Sequence, residues 1–353
     1  MTATIAAGPV RPGFGFDEAR LDRYLRGVLP GYAGPPEVRQ FEGGQSNPTY
    51  LLSTPAAHYV LRRKPPGTLL PSAHAVDREY RVIAALAAQG RVPVPQALHL
   101  CLDETVIGTS FYVMEHVEGR IFRDAALPEV PREQRPACCE AIVDALARLH
   151  RADYRAAGLA DFGRPGGYVS RQFSRWARQY REDADAGRVQ EMDRLIEWLP
   201  ANMPGGERTT LVHGDYRCDN VVFHPAEPRV LAILDWELAT LGDPIADFTY
   251  HLMMYRMPPL AVTGLAGLDL EALNLPAESR YLCWYCDRVG LDAVPHLDFY
   301  LAFNLFKLAA VFHGIRGRLI RGTAAGASAE AYAACVEDAA RLAWAQARRA
   351  SRS

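Results

Sequence analysis

Two short stretches in the middle of the chain constrain its fold more than any other. Residues 211–220 read LVHGDYRCDN and residues 233–237 read ILDWE. Each begins as an apolar run and ends on an acidic residue, which predicts a short strand that delivers a carboxylate at its tip. Val221–Phe223 and Val230–Leu234 are two further apolar runs around His224-Pro225-Ala226-Glu227-Pro228, a sequence that predicts a turn between them. Asp215 and Asn220 are five residues apart across a polar loop, and Asp235 follows fifteen residues later at the end of the returning hairpin. Local structure alone therefore fixes three oxygen-bearing side chains on neighbouring strand ends.

The rest of the chain supplies a strand-rich first third and a helical remainder, with the switch near residue 117. Phe41–Ser53 reads as strand, tight loop, strand, and Tyr59-Val60-Leu61 as a third strand. A helix follows, with Ser72 as N-cap and Gly90 as its stop. Val76, Tyr80, Ile83, Ala84 and Ala87 recur at helical spacing and mark its buried face. Glu79 falls on that stripe, and a carboxylate there is costly unless it is paired. Val92–Pro95 is extended, and Phe111–Met114 reads as a strand leading into a linker at 115–119. Helical patterns then cover about 133–152, 170–186 and 190–199. These observations predict two domains, residues 1–116 and 117–353, in an α+β fold with an antiparallel N-terminal sheet plus helix and a larger, mainly helical C-terminal part.

Composition excludes several classes. Among 353 residues the formal charge is −2, which gives no electrostatic reason to expect nucleic acid or an anionic membrane as partner. Seven cysteines include one lone CxxC, Cys283 and Cys286, with no second half at zinc spacing. Reduced thiols in a cytoplasmic setting are the expectation. The N-terminus lacks the basic start and apolar core of a signal peptide. The most apolar late segment, Phe299–His313, is interrupted by Lys307 and reads as a buried helix, not a membrane span.

The acidic constellation suits phosphoryl transfer. That reaction asks for a base to take the proton of the attacking hydroxyl and for hard oxygen donors to hold Mg²⁺ against a triphosphate. A base and an Asn five apart, with a second Asp on a later loop, also occur in protein kinases. Here HGD stands in place of HRD and DWE in place of DFG. VHGDxxxxN followed by ILDWE resembles the aminoglycoside phosphotransferase family of kinase-like enzymes, and the likeness extends over about residues 38–330. The resemblance implies a two-lobed, protein-kinase-like fold, ATP and Mg²⁺ as cofactors, Asp215 as catalytic base, and Asn220 and Asp235 as metal ligands. It implies that the loop carrying Gly43, Gly44, Ser46 and Asn47 covers the phosphates, although no GxGxxG is present. It further implies a strand cation paired with a helical Glu, a role that explains Glu79. Arg62 in YVLRRK aligns with the basic position and could pair bidentately with Glu79. Lys64, on the same strand face, is the reserve. Met114 would sit behind the adenine, and the backbones of Glu115 and Val117 would meet its edge. His213 is expected to pack the catalytic loop, Asp243 and Asp247 to cap a helix or brace that loop, and Glu237 to stay behind the metal ligands.

The acceptor is less constrained. Phe299–Gly322 carries Lys307, His313, Arg316, Arg318 and Arg321 among Phe303, Phe306 and Phe312. This suits an acceptor with an apolar part and negative charge, or else a core helix with a solvated basic end. No acidic patch of the kind a polycationic drug would need is visible in the late helices. The longer runs YVLRRKPPGTLLPSAHAVDREYRVIAAL, HGDYRCDN and ILDWELATLGDPIADF resemble the kinase-like domain of acyl-CoA dehydrogenase family members ten and eleven. That subgroup implies phosphorylation of a hydroxyacyl-CoA or hydroxy acid, with an acyl-CoA dehydrogenase-like enzyme as functional partner. Aminoglycosides, choline-like alcohols and sugars are the alternative acceptors, and a nucleotide-binding pseudokinase that acts by interaction is the alternative class.

Overall fold

The computed structural model describes residues 7–41, 47–67, 74–259, 262–323 and 329–351. The chain forms two compact units. The first comprises Met1–Phe122, Arg155–Ala160 and Asp219–Ala239, and the second Arg123–Tyr154, Asp161–Cys218 and Thr240–Ser353. The first unit thus runs past the boundary expected at 116 and takes back the hairpin Val221–Phe223/Val230–Ile233. Backbone pairing is the reason. Arg120 and Phe223 exchange N–H···O bonds of 2.8 Å each, and the Ile233 N–H donates to the Pro93 carbonyl at 2.9 Å. The Arg120 guanidinium adds bonds to the carbonyls of His224 and Glu227.

The first unit is built on a six-stranded antiparallel sheet. Its order is Ala7–Gly8, Glu37–Phe41, Thr49–Ser53, His58–Arg63, Phe111–Glu115, Ala97–Cys101. Strand alternation gives the sheet two faces. On one, Tyr50, Leu52, Leu61, Phe111 and Val113 pack with Leu21, Leu25 and Leu29. The two leucines at 21 and 25 come from the helix Glu18–Val28, capped by Asp17, whose carboxylate accepts the Arg20 N–H at 2.9 Å. The other face carries Val60 and Arg62, opposite Met114 and Tyr112, and meets the helix Val76–Gln89. That helix ends at Gly90, as expected, in the left-handed conformation at φ 64°. It starts behind Ala75 without a side-chain cap, and Ser72 lies outside the described residues. Its buried positions are Val76, Glu79, Val82, Ile83 and Leu86, so the stripe is rotated toward Val82 and Leu86 from the expected Tyr80 and Ala84.

The second unit is mainly helical, with one short antiparallel pair, Thr210–Val212 and Thr240–Gly242. Its axis is the helix Leu297–Ile320, buried along most of its length and packed by the helices Tyr168–Glu182, Pro244–Leu252, Gln190–Ala201 and Val336–Ala350. Four of the basic residues at and near its C-terminal half are engaged within the unit. Lys307 donates to the Gly214 carbonyl at 2.8 Å, His313 meets the Gly187 carbonyl, Arg316 binds Glu337, and Arg321 binds Asp183 and Asp185. The helix is therefore a core helix whose basic end, Arg318 and Arg321, is exposed, and four of the five basic residues singled out there already have partners within the unit. Among the described residues no helix is long and apolar enough to cross a membrane, and the seven cysteines are free thiols.

Beneath the loop that follows Val212, polar groups are buried and matched. Asp247 accepts the backbone N–H groups of His213 and Gly214 at 2.7 and 2.8 Å and lies 3.1 Å from His150 Nε2. Burial raises the Asp247 carboxyl, but His150 and His213, the latter through its charge and its backbone N–H, outweigh it and hold it below the usual carboxylate range. His251 contacts the Tyr281 hydroxyl at 2.5 Å, and burial pushes its imidazole down to about 4. The unfolded chain, with an ordinary histidine, therefore takes up this proton first, so acidification from pH 6.5 toward 4 favours unfolding. The predicted loss from His251 approaches ~1 kcal/mol per pH unit in that window. Denaturant unfolding of wild type and His251→Gln at pH 6.5 and pH 5 checks it: the variant should show the shallower loss, and equal losses would contradict the assignment.

Candidate active site

The first unit gathers all the candidate site residues singled out by the sequence except Asp215. Arg62 lies near the end of the strand His58–Arg63 with its side chain buried, while Arg63 points to the opposite face and donates to Thr109. Arg62 Nε is 2.8 Å from Glu79 Oε2, and Arg62 Nη2 donates to Asp235 Oδ1 at 2.6 Å and lies 3.5 Å from Glu237. The expected bidentate grip on Glu79 is thus divided: one nitrogen faces the helix carboxylate and another faces the carboxylates of the ILDWE segment. Glu79 is 1% exposed and also accepts Asn47 Nδ2 at 2.6 Å and the Tyr112 hydroxyl at 3.0 Å. Burial raises Glu79 and opposes its charge, whereas Arg62, Tyr112 and Asn47 pull the other way. For Arg62, burial favours loss of the proton, but Glu79, Asp235 and Glu237 together raise it, so the guanidinium stays charged.

The two proposed metal ligands terminate the hairpin. Leu234 N–H donates to the Asn220 carbonyl at 2.8 Å, which brings the two ends of the hairpin side by side. Asp235 follows with φ 63°, a left-handed conformation that Asp tolerates better than most side chains, and its carboxylate is 30% exposed. Asn220 and Asp235 offer one amide and one carboxylate oxygen, and no cluster of three or more His, Cys, Asp or Glu able to hold a metal exists among the described residues. Two hard protein oxygens fit Mg²⁺, which keeps waters and takes phosphate oxygens for its other positions. They do not fit a zinc site.

Asn47 is fully buried and spends its amide on Glu79 and His74, so it reaches the site by bracing Glu79. Gly43, Gly44 and Ser46 lie outside the described residues. Lys64 follows the end of its strand, and its backbone N–H donates to Ser110. Met114 is 8% exposed on the same sheet face as Arg62. The Glu115 N–H is already given to the Gln96 carbonyl, so it is not the donor expected for a base edge. Val117 packs with Ile121, Val222 and Ala232, an apolar cluster joined by Leu234.

Asp215 belongs to the second unit, on the loop braced by Asp247. Its N–H donates to His213 Nδ1 at 3.3 Å, and the chain turns into it through Gly214 at φ 85°. The carboxylate is 23% exposed, so a solvent-borne group can reach it. Its Oδ1 accepts the Tyr250 hydroxyl at 2.7 Å and lies 3.6 Å from Arg217 Nε. Asp243 caps the helix Pro244–Leu252 and accepts Tyr300, and Asp247 braces the loop, as expected of both. Sequence reasoning missed Tyr112 and Tyr250. Tyr112 could have been found, because strand alternation puts it opposite Arg62. No local pattern points from Tyr250 to Asp215.

Comparison with known proteins identifies the family of the chain. The model of the phosphotransferase enzyme family matches residues 37–281, more than half of the chain. Mouse acyl-CoA dehydrogenase family member 10 is 44% identical over 340 residues, 95% of this chain and 32% of that protein. Chicken acyl-CoA dehydrogenase family member 11 is 45% identical over 337 residues, 93% of this chain and 43% of that protein. The chain thus spans less than half the length of these relatives. A solved structure from Ralstonia eutropha, assigned as an aminoglycoside phosphotransferase, superposes with a TM-score of 0.86 at 43% identity, covering 95% of this chain and 99% of that one. An antiparallel sheet with a buried Arg–Glu pair, a hairpin ending in Asn220 and Asp235, and a braced HGD loop stand within a fold shared at that level, and the chain belongs to the phosphotransferase enzyme family of kinase-like enzymes that act on hydroxyl groups.

Proposed function

We propose that the chain is an ATP- and Mg²⁺-dependent kinase that phosphorylates the hydroxyl of a hydroxyacyl-CoA or the corresponding hydroxy acid. The observation that carries the kinase reading is Arg62, which faces the helical Glu79 on one side and Asp235 on the other. A strand cation paired with a helix carboxylate is the part that orients the α- and β-phosphates in kinases. Arg62 is the phosphate-facing cation, and Glu79 holds it. Asn220 and Asp235 are the residues that would hold Mg²⁺, whose contribution is to neutralise charge on the triphosphate oxygens. Met114, the Glu115 carbonyl and the apolar surface of Val117, Val222 and Leu234 would receive adenine.

Asp215 takes the proton of the acceptor hydroxyl. The acceptor oxygen forms the new bond to the γ-phosphorus, the bond from that phosphorus to the β,γ-bridging oxygen breaks, and ADP leaves with the electron pair. This division of labour assigns the protein positioning and charge, with no covalent intermediate.

The acceptor class rests on kinship. The relatives at 44% and 45% identity are named for acyl-CoA dehydrogenation, and this chain matches only a part of each. A phosphotransferase segment joined to an acyl-CoA dehydrogenase shares an acyl-CoA with it, and a hydroxyl on that acyl chain is the group a kinase can use. Phosphate then becomes a leaving group for later steps, and an acyl-CoA dehydrogenase-like enzyme is the functional partner.

The direct test is Mg²⁺·ATP consumption with 4-hydroxyacyl-CoA, 3-hydroxyacyl-CoA, the free hydroxy acids, kanamycin and choline. Turnover confined to the hydroxyacyl substrates is expected, and turnover of kanamycin or choline alone would overturn the acceptor assignment. Asp215→Ala should lower kcat by about a thousandfold or more while nucleotide binding persists. Arg62→Ala should raise the KM for ATP by about tenfold or more, with Lys64→Ala close to wild type. The opposite pattern would transfer the phosphate contact to Lys64.

A further inference from the structure

Lys307 sits in the core of the second unit at 6% exposure, and among the described residues it has no carboxylate at ion-pair distance. A buried ammonium without a carboxylate partner is costly, so its placement asks for a reason. Its Nζ donates to the carbonyl of Gly214 at 2.8 Å and lies 4.3 Å from the centroid of the Tyr250 ring, within cation–π range. Tyr250, in the helix Pro244–Leu252, donates its hydroxyl to Asp215 Oδ1 at 2.7 Å. The ammonium therefore ties together the residue before Asp215 and the ring whose hydroxyl holds the Asp215 carboxylate. Burial lowers the pKa of Lys307, and the nearby charges of Asp215 and Asp247 oppose that shift, while Arg175 adds to it.

We infer that Tyr250, seated on Lys307, is the positioning residue that fixes the Asp215 carboxylate for proton abstraction. The inference rests on the reading of Asp215 as base. A carboxylate on an aspartate turns about two side-chain bonds, and a general base works only when a lone pair lies within hydrogen-bond reach of the acceptor proton. The phenol holds Oδ1 from the helix side, and Arg217 Nε approaches the same oxygen from the loop at 3.6 Å. Asp247 fixes the backbone beneath through the N–H groups of His213 and Gly214, and Lys307 fixes the carbonyl of Gly214. Two neighbouring helices thereby control both the backbone and the side chain of the base.

Tyr250→Phe keeps the ring over Lys307 and removes only the donor. With the panel acceptor that is turned over fastest, kcat should fall by about tenfold to a hundredfold, with the KM for ATP unchanged. In an Asp215→Ala background the same substitution should cost no further activity, because the group it positions is gone. Lys307→Met, which leaves the phenol in place, should lower kcat by a smaller factor, again at constant KM for ATP, and serves if Tyr250→Phe does not fold. A Tyr250→Phe enzyme with wild-type kcat beside an inactive Asp215→Ala overturns this inference alone. Equal losses from Tyr250→Phe in both backgrounds overturn it as well. A fully active Asp215→Ala overturns the base assignment and this inference together.

Discussion

One guanidinium buried among three carboxylates governs the first unit. Taking Arg62 out of water costs several kcal/mol, and Glu79, Asp235 and Glu237 offset that cost only if each stands where it is. The consequences spread outward from this requirement. Glu79 must sit on the buried stripe of its helix, which displaces an apolar residue from that position. Tyr112 and Asn47 must supply hydroxyl and amide donors to its oxygens. The hairpin must pack on this unit, although the chain enters it from the other. Removing one partner strands the remaining charges, a change worth about 3–5 kcal/mol in buried pairs. The cluster therefore locks the sheet, the helix and the hairpin into one geometry.

The second unit solves the matching problem for a carboxylate that must stay reachable. Asp215 keeps part of its surface in solvent, and its rigidity comes from groups beneath it. Asp247 gathers two backbone N–H groups, His150 links it to Tyr285, and Lys307 takes the Gly214 carbonyl. Buried polar networks specify a single arrangement only when every member is matched, and here backbone donors and acceptors of the loop find partners on two helices, Pro244–Leu252 and Leu297–Ile320. Asp215 thus sits on a loop, while its placement comes from rigid elements around it.

Much of this was legible in the sequence because it is local. The strands ending in Asp215 and Asp235, the Pro/Glu-rich hairpin turn, the Gly90 stop and the misfit of Glu79 on an apolar stripe all follow from spacing within a few residues. The helix Glu18–Val28 was not among the expected elements, although the Asp17 cap and Leu21, Tyr24, Leu25 and Val28 at helical spacing mark it locally. The edge strand Ala97–Cys101 was harder, since its register with Phe111–Glu115 is irregular and its burial is partial. What the sequence could not show is long-range. Tyr250 meets Asp215 across 35 residues and Lys307 meets Gly214 across 93. The basic residues after Phe299 looked like an anion site because their partners, Glu337, Asp183 and Asp185, come from distant segments.

In the proposed function Asp235 serves two groups, Arg62 from the strand and Mg²⁺ on the nucleotide. The most direct measurement is binding of a non-hydrolysable ATP analogue across a Mg²⁺ titration, for wild type and for Asp235→Asn, which keeps an acceptor for Arg62 but drops the charge. Wild-type affinity should rise steeply with Mg²⁺, and in Asp235→Asn that rise should largely disappear, with affinity at saturating metal lower by about tenfold or more. An unchanged Mg²⁺ dependence in the variant would contradict the account.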